Sequence, residues 1–294
     1  VIGHVERGGG LAIEIDDSLR NESEPDSFRI TSQSLVEEYI VKLEGRTILI
    51  TGGSAGIGLT FAKAFQELGN TVIVTGRTQA KLDAAVEAVP GLHTMRCDAS
   101  DPEALKALAA RVGEEFPKLD VLFNNAGIFI YRNVTTGQDD LLELTREIDI
   151  NLSGAIRTVS VFVDRLRANQ GTIINVSSGL AYVPLQCAPV YCATKAALHS
   201  YTVSLRQQLE GKVEVIELMP PAVKTDLTAD LPDDGSFAML TLEQLLAQTM
   251  PKLRSGAAEI RPGQASQLHW MSRIAPGFIN GQLAKGSADL VPPA

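Results

Sequence analysis

The sequence predicts an α/β protein: a doubly wound parallel sheet flanked by helices, forming a single domain with an amino-terminal arm and a carboxy-terminal tail. Three observations lead there. From Arg46 onward, short continuous apolar runs alternate with segments of helical periodicity, the pattern of strands buried on both faces between helices. A glycine cluster, Gly52 to Gly58, joins the first apolar run to the first helical segment. The chain has 294 residues, 45% hydrophobic and 21% charged, enough to close one large core.

Taken in order, residues 1–41 read as an extension, either disordered or a surface arm. Gly8-Gly9-Gly10 and the polar stretch Asp16 to Ser27 leave too few apolar residues for a core. The domain is expected over residues 42–262. Thr47 to Thr51 is the first strand, and the helix after it carries Ile57, Phe61, Phe65 and Leu68. Thr71 to Thr75 is a second strand, followed by a helix through Leu82, Val86 and Val89; Leu92 to Cys97 is a third. Ser100-Asp-Pro-Glu103 predicts a helix start, with a capping box between Ser100 and Glu103. A fourth strand, Leu119 to Phe123, precedes one long helix from about Asp139 to Ala168. Strands at Gly171 to Val176 and Val213 to Met219 flank a helix beginning near Tyr191. Residues 220–256 are expected to hold the substrate loop, and residues 263–294 form a Pro- and Gly-rich tail whose Trp270 and Phe278 could meet a neighbouring subunit. Right-handed crossovers then put the site at the carboxyl ends of the strands.

Composition excludes several classes. A net charge of −9 argues against a nucleic-acid partner. No run approaches the length of a membrane span, and the opening residues lack the basic and apolar regions of a secretory signal. Cys97, Cys187 and Cys192 include no C-x-x-C pair, and His93, His199 and His269 lack ligand spacing, so neither a disulfide framework nor a metal site is expected. A reducing, cytoplasmic setting follows from that cysteine usage.

The chemistry concentrates between Ser178 and Lys195. Tyr191 and Lys195 are four apart at the start of a run with Leu198, Tyr201, Leu205 and Leu209, so they share a helix face one turn apart. A phenol with an ordinary pKa of about 10 is a weak acid or base at neutral pH, and a nearby ammonium favours its ionised form. The Ser178 hydroxyl, in the loop after a strand, could meet the phenol at a substrate oxygen. Taken alone, the pair also fits a plain surface helix. Gly52-x-x-x-Gly56-x-Gly58 lies between strand and helix, where it serves either a tight turn or a pyrophosphate. Arg77 follows the second strand, where a guanidinium suits a 2′-phosphate and a carboxylate would suit a free ribose, so NADP(H) is favoured over NAD(H); a solvated Arg at a helix start is the plainer reading. Asp98, with Ala99 after it, ends the third strand, as an acceptor for an adenine amino group or as a turn residue. Asn151 interrupts the apolar stripe Leu144, Ile148, Ala155, Val159, as a structural bracket or as part of a proton relay. Leu180, Tyr182, Val183 and Leu185, with Phe129 and Tyr131, predict an apolar substrate wall. Phe237, Met239 and the helix Leu242, Leu245, Leu246, Met250 predict a mobile cover.

These features, in this order, resemble the short-chain dehydrogenase/reductase family from about Lys42 to Pro262. The resemblance implies a Rossmann-type sheet. It implies a glycine motif from Thr51 to Gly58, an N-N-A-G motif from Asn124 to Gly127, and a catalytic tetrad of Asn151, Ser178, Tyr191 and Lys195. The cofactor contacts it implies are Gly52, Ser54, Gly56, Ile57, Gly58, Arg77, Asp98, Ala99, Asn125, Ala126, Gly127, Tyr191, Lys195, Pro220, Val223 and Thr225. Two departures stand out. Ala55 replaces the basic residue many NADP-users carry, and Pro220-Pro221 replaces the usual Pro-Gly, fixing φ and removing an N–H. The Tyr191 region and the Pro pair also resemble an oxidoreductase subgroup named for D-alanine esterification of teichoic acids. The expected activity is NADP(H)-dependent hydride transfer to or from a fairly apolar carbonyl/alcohol substrate, in a homodimer or homotetramer. Imine reduction or cyclisation in the same pocket, or a non-catalytic nucleotide sensor, are the alternatives.

Overall fold

In the computed structural model, which describes residues 43–136, 140–231 and 238–292, the apolar runs pair into a parallel sheet. Its strands are β1 (Thr47–Thr51), β2 (Thr71–Gly76), β3 (His93–Arg96), β4 (Val121–Asn124), β5 (Thr172–Val176), β6 (Glu214–Leu218) and β7 (Glu259–Ile260), in the order β3-β2-β1-β4-β5-β6-β7. The two-residue β7 is too short to leave a pattern in the sequence. The amino-terminal extension and Phe237 lie outside the described residues.

Helices cover both faces: α1 (Gly56–Glu67), α2 (Gln79–Ala88), α3 (Pro102–Glu115), α4 (Leu141–Glu147), α5 (Ala155–Ala168), α6 (Pro189–Gln208), α7 (Leu242–Arg254), α8 (Gln264–Ile274) and α9 (Pro276–Gly286). Because strand side chains alternate, Ile48 and Ile50 pack with Phe61 and Phe65 of α1, while Leu49 packs on the other face with Phe162 of α5. The Phe61 and Phe123 rings lie 4.9 Å apart, tying α1 to β4.

Three expectations need correction. The helix after β3 is capped by Asp101, whose carboxylate accepts from the Glu103 and Ala104 N–H groups; Ser100 instead donates its hydroxyl to Asp98 at 2.7 Å. Pro102 holds the first turn as expected. Residues 263–294 are not an irregular tail, since α8 and α9 occupy most of the stretch. Pro276 sits at a helix start, where its missing N–H costs nothing, so the Pro and Gly content did not forbid helix. Trp270 and Phe278 stand exposed.

The third correction concerns the long helix. It is interrupted by a π-helical segment, Ile148–Gly154, between α4 and α5. A wider turn shifts the phase of everything before it. Asn151, Ala155 and Val159 are buried as the stripe predicts, but Ile148 is 38% exposed and Glu147 is fully buried in its place. Glu147 accepts from the Ile130 N–H at 3.0 Å and pairs with buried Arg132 at 3.4 Å. Burial raises its carboxyl above the usual range, against the pull of Ile130 and Arg132. Glu147→Ala should therefore cost about 3–5 kcal/mol by stranding Arg132. Ile148→Ala should change stability by only about 0.5 kcal/mol. Urea unfolding of both variants checks this, and the reverse order would mean a regular helix.

Candidate active site

β1 and β4 are neighbours whose chains cross over in opposite directions, so their carboxyl ends open a crevice between them. The glycine loop lines it. Gly52 has φ +65°, and a Cβ there would sit 2.9 Å from Ala126 Cα; Gly56 has φ +51° and would meet Thr225 Cγ2 at 3.4 Å. Thr51 Oγ1 accepts from the Asn125 and Ala126 N–H groups at 2.9 and 3.0 Å, while Asn125 Nδ2 donates to the Thr51 and Gly52 carbonyls. The loop is thus pinned to the N-N-A-G stretch. The first turn of α1 has neither a side-chain cap nor an acidic residue, which leaves its N–H groups suited to an anion.

A cavity of about 620 Å³ runs from Arg77, Asp98 and Ala99 past Gly52, Ser54, Gly56 and Ile57. It continues along Asn125, Ala126 and Gly127 to Ser178, Tyr191 and Lys195, with Pro220, Val223 and Thr225 on its wall. Two predicted residues do not line it. A Cβ on Gly58 would lie 2.4 Å from the Gly52 carbonyl oxygen, so this glycine lets α1 lie against the loop rather than facing the cavity. Asn151 is 1% exposed; its Oδ1 accepts from the Ile128 N–H, and its Nδ2 donates to the Ile128 carbonyl, both at 2.8 Å. Nδ2 also reaches Thr194 Oγ1 at 3.3 Å. Both amide hydrogens are engaged in the protein, the bracket alternative of the sequence reading.

At the Arg77 end of the cavity, Asp98 accepts from the Ser100 backbone and hydroxyl. Partial burial works to raise its pKa, but the Ser100 bonds and the Arg77 and Arg146 charges outweigh it and hold the carboxyl low. At the other end, Tyr191 and Lys195 stand a turn apart on α6, with Lys195 Nζ 5.6 Å from the Tyr191 ring centre. Burial pushes the Tyr191 phenol well above its ordinary value; Cys192 adds to this, and Ser178 opposes it. Lys195 is lowered to about 8 by the same loss of water, with Glu217 opposing. The expected fall of the phenol pKa is therefore not found; burial dominates it. Lys195 donates to the Val176 carbonyl at 2.9 Å, and its field does not offset the desolvation of a phenolate.

The family model for short chain dehydrogenases matches residues 46–235. The chain belongs to the short-chain dehydrogenase family. It is 41% identical over 224 residues, covering 75% of this chain and 89% of the relative, to the "uncharacterized oxidoreductase DltE" of Bacillus subtilis. It is 34% identical over 184 residues to a serine 3-dehydrogenase of Rhizobium radiobacter, covering 62% of this chain and 74% of that one. A short chain dehydrogenase from Burkholderia cenocepacia, solved in complex with NADP, superposes with a TM-score of 0.73 at 24% identity, covering 83% of this chain and 99% of that chain. The 3-ketoacyl-(acyl-carrier-protein) reductase from Brucella melitensis, complexed with NADH, gives 0.66 at 25% identity, over 74% and 94%. This short-chain dehydrogenase is accordingly an NAD(P)-dependent oxidoreductase with a Rossmann-like sheet.

The substrate wall differs from expectation in detail. Phe129, Leu180 and Leu185 line the cavity, but Val183 is fully buried and Tyr131 packs behind, its ring 5.0 Å from Phe129. Tyr182 turns away, its hydroxyl donating to Met219 Sδ and accepting from Arg261 Nε. Cys187 and Cys192 pack in the apolar cluster beside Tyr191 and do not line the cavity. The predicted cover fails for α7: Leu245 is fully buried, and Leu242, Leu246 and Met250 pack on the core. What closes this end is α8 and α9, which present Leu268, Ile279 and Leu283 to the cavity.

Sequence reading also passed over Glu217. This fully buried carboxylate accepts from Ser177 and lies 2.8 Å from His199 Nδ1, so it touches the neighbour of Ser178 and the residue one turn beyond Lys195. His199 is therefore part of a polar network with buried Glu217. Glu259, whose carboxylate approaches the same cluster, is paired with Arg206 and Arg261. The available signal was the second glutamate of the otherwise apolar strand Glu214-Val-Ile-Glu-Leu218.

Proposed function

We propose that this short-chain dehydrogenase is an NADP(H)-dependent oxidoreductase acting on a fairly apolar carbonyl/alcohol pair, with Tyr191 as general acid/base. The observation that carries the reading is the convergence of Ser178, Tyr191 and Lys195 on one cavity that continues into the glycine cradle. The cradle fits a nicotinamide nucleotide. Gly52 and Gly56 leave space a Cβ would fill, and uncapped N–H groups at the start of α1 face a pyrophosphate position. Bound there, the nucleotide supplies or accepts the hydride.

In reduction, the Tyr191 hydroxyl gives its proton to the substrate carbonyl oxygen while the Ser178 hydroxyl hydrogen-bonds the same oxygen. Oxidation reverses the proton transfer. Burial favours the protonated form of the phenol, from which the proton is given. Lys195 would hold the ribose hydroxyls of a bound nucleotide and stabilise negative charge developing on the phenol oxygen. Asn151 serves by position: it fixes Ile128 beside Gly127, the residue whose Cβ would lie 3.3 Å from Asn151 Oδ1 and 3.7 Å from Lys195 Nζ. Arg77 supports the preference for NADP(H), since it lines the cavity and no carboxylate occurs from Thr75 to Thr78.

The remaining parts of the reading have their own support. Three free, buried cysteines fit a reducing, cytoplasmic setting, and among the described residues no helix is long and apolar enough to cross a membrane. Exposed Leu141 and Leu142 fit a homodimer or homotetramer, which light scattering would report as a mass above the 31.5 kDa of one chain. The domain, expected to end at 262, takes in α8 and α9 because these helices complete its cavity.

Tyr191→Phe should lose turnover by on the order of a hundredfold or more while keeping NADPH binding. Near-full carbonyl reduction by the purified variant would remove Tyr191 from the role of acid. Arg77→Ala should weaken NADPH about ten- to a hundredfold and leave NADH little changed, as read by fluorescence titration. Equal changes for both nucleotides would argue against a 2′-phosphate contact.

A further inference from the structure

We infer that the substrate is an uncharged carbonyl or alcohol carried on an apolar chain or ring, and that the carboxy-terminal pair α8–α9 selects it. This rests on the hydride-transfer reading above and names the substrate class of the same site. The pair lies beyond the segment matched by the family model, which ends at residue 235, yet it is fastened to the reactive end of the cavity. A Cβ on Gly179, next to Ser178, would meet Ala265 Cβ at 3.2 Å and Leu268 Cδ1 at 3.3 Å, so α8 lies directly against the Ser178 loop. The His269 ring is 4.7 Å from Tyr182, and the Ser287 hydroxyl accepts from the Gln186 N–H at 3.3 Å. Residues 178–187, which lead from the candidate Ser into the Tyr191 helix, are thus held by the carboxy-terminal pair.

The chemistry of that end is distinctive. Its inner wall is Leu180, Leu185, Leu268, Ile279 and Leu283 with Phe129, and its mouth carries the exposed carboxamides of Gln264, Gln267 and Gln282. Among the described residues, the charged groups on the whole cavity lining are Arg77, Lys81, Asp98, Lys195 and Asp226. Arg77, Lys81 and Asp98 flank the ends of β2 and β3 at the opposite pole. Asp226 follows Thr225, the residue beside Gly56, and Lys195 is engaged with Val176. Among the described residues of this wall, a substrate carboxylate or phosphate would lose water and find only Lys195, already bonded to the Val176 carbonyl, as a counter-charge, whereas methylene groups would gain apolar contact.

The test uses the full chain with NADPH, straight-chain aldehydes of increasing length, and oxo acids of matched length. For the aldehydes, kcat/KM should rise about threefold to fourfold per methylene until the wall is covered. The matched oxo acids should be at least about a hundredfold poorer. Leu283→Ala should flatten the dependence on chain length, and Gln282→Arg, at the exposed rim, should improve the oxo acids relative to the aldehydes. Equal or better use of the oxo acids by the unaltered protein, or no dependence on chain length, would overturn the inference. Binding of the corresponding alcohols and hydroxy acids, followed by thermal shift with NADP present, separates the two claims. An alcohol preference without turnover sinks the hydride-transfer reading and retains the apolar specificity. A hydroxy-acid preference sinks the specificity alone.

Discussion

The candidate site depends on a clamp formed by one buried amide. Asn151 exchanges two 2.8 Å hydrogen bonds with the backbone of Ile128 and reaches Thr194 on the helix of Tyr191 and Lys195. Thr194 in turn donates to the Tyr191 carbonyl at 2.7 Å. The exit of β4 and the start of α6 are thus joined through a side chain with 1% exposure, where an unpaired amide would be costly. The π-helical segment is what brings that side chain to bear. Widening the helix by one turn turns Ile148 outward, buries Glu147 against Arg132, and leaves Asn151 facing Ile128.

Much of this molecule was legible in its residues. Strands such as Thr47–Thr51 and Thr172–Val176 are short apolar runs with no competing helical period, and the structure keeps them within a residue or two. The glycine loop could be placed because φ > 0 and close backbone approach leave few other residue types possible. Tyr191 and Lys195 fell on one face because helix geometry fixes a separation of four. What stayed hidden depended on tertiary context. A π turn has no local signature, so the stripe through Ile148 misplaced its own amino-terminal half. The wall residues Tyr182 and Val183 follow alternating directions set by a loop whose path the sequence does not give. The direction of the Tyr191 pKa reflects burial, which outweighs a cation 5.6 Å from the ring centre.

The two ends of the cavity are built by different means. The glycine-loop end is backbone: glycines, helix N–H groups and the Thr51–Asn125 braces, none of which tolerates much change in side-chain volume. The other end is side chain, supplied by the Ser178–Leu185 loop and by α8 and α9, so it can vary without disturbing the sheet. Buried Glu217 holds Ser177, next to Ser178 in the chain, and His199, one turn beyond Lys195.

The most direct measurement of this account is the turnover of Asn151→Ala with NADPH and a neutral aldehyde, alongside binding of adenosine 2′,5′-bisphosphate as a report on the Arg77 end. If the clamp sets the proposed catalytic geometry, turnover falls on the order of a hundredfold while the bisphosphate still binds as in the unaltered protein. Near-normal turnover in a folded Asn151→Ala variant would contradict the clamp and the geometry derived from it.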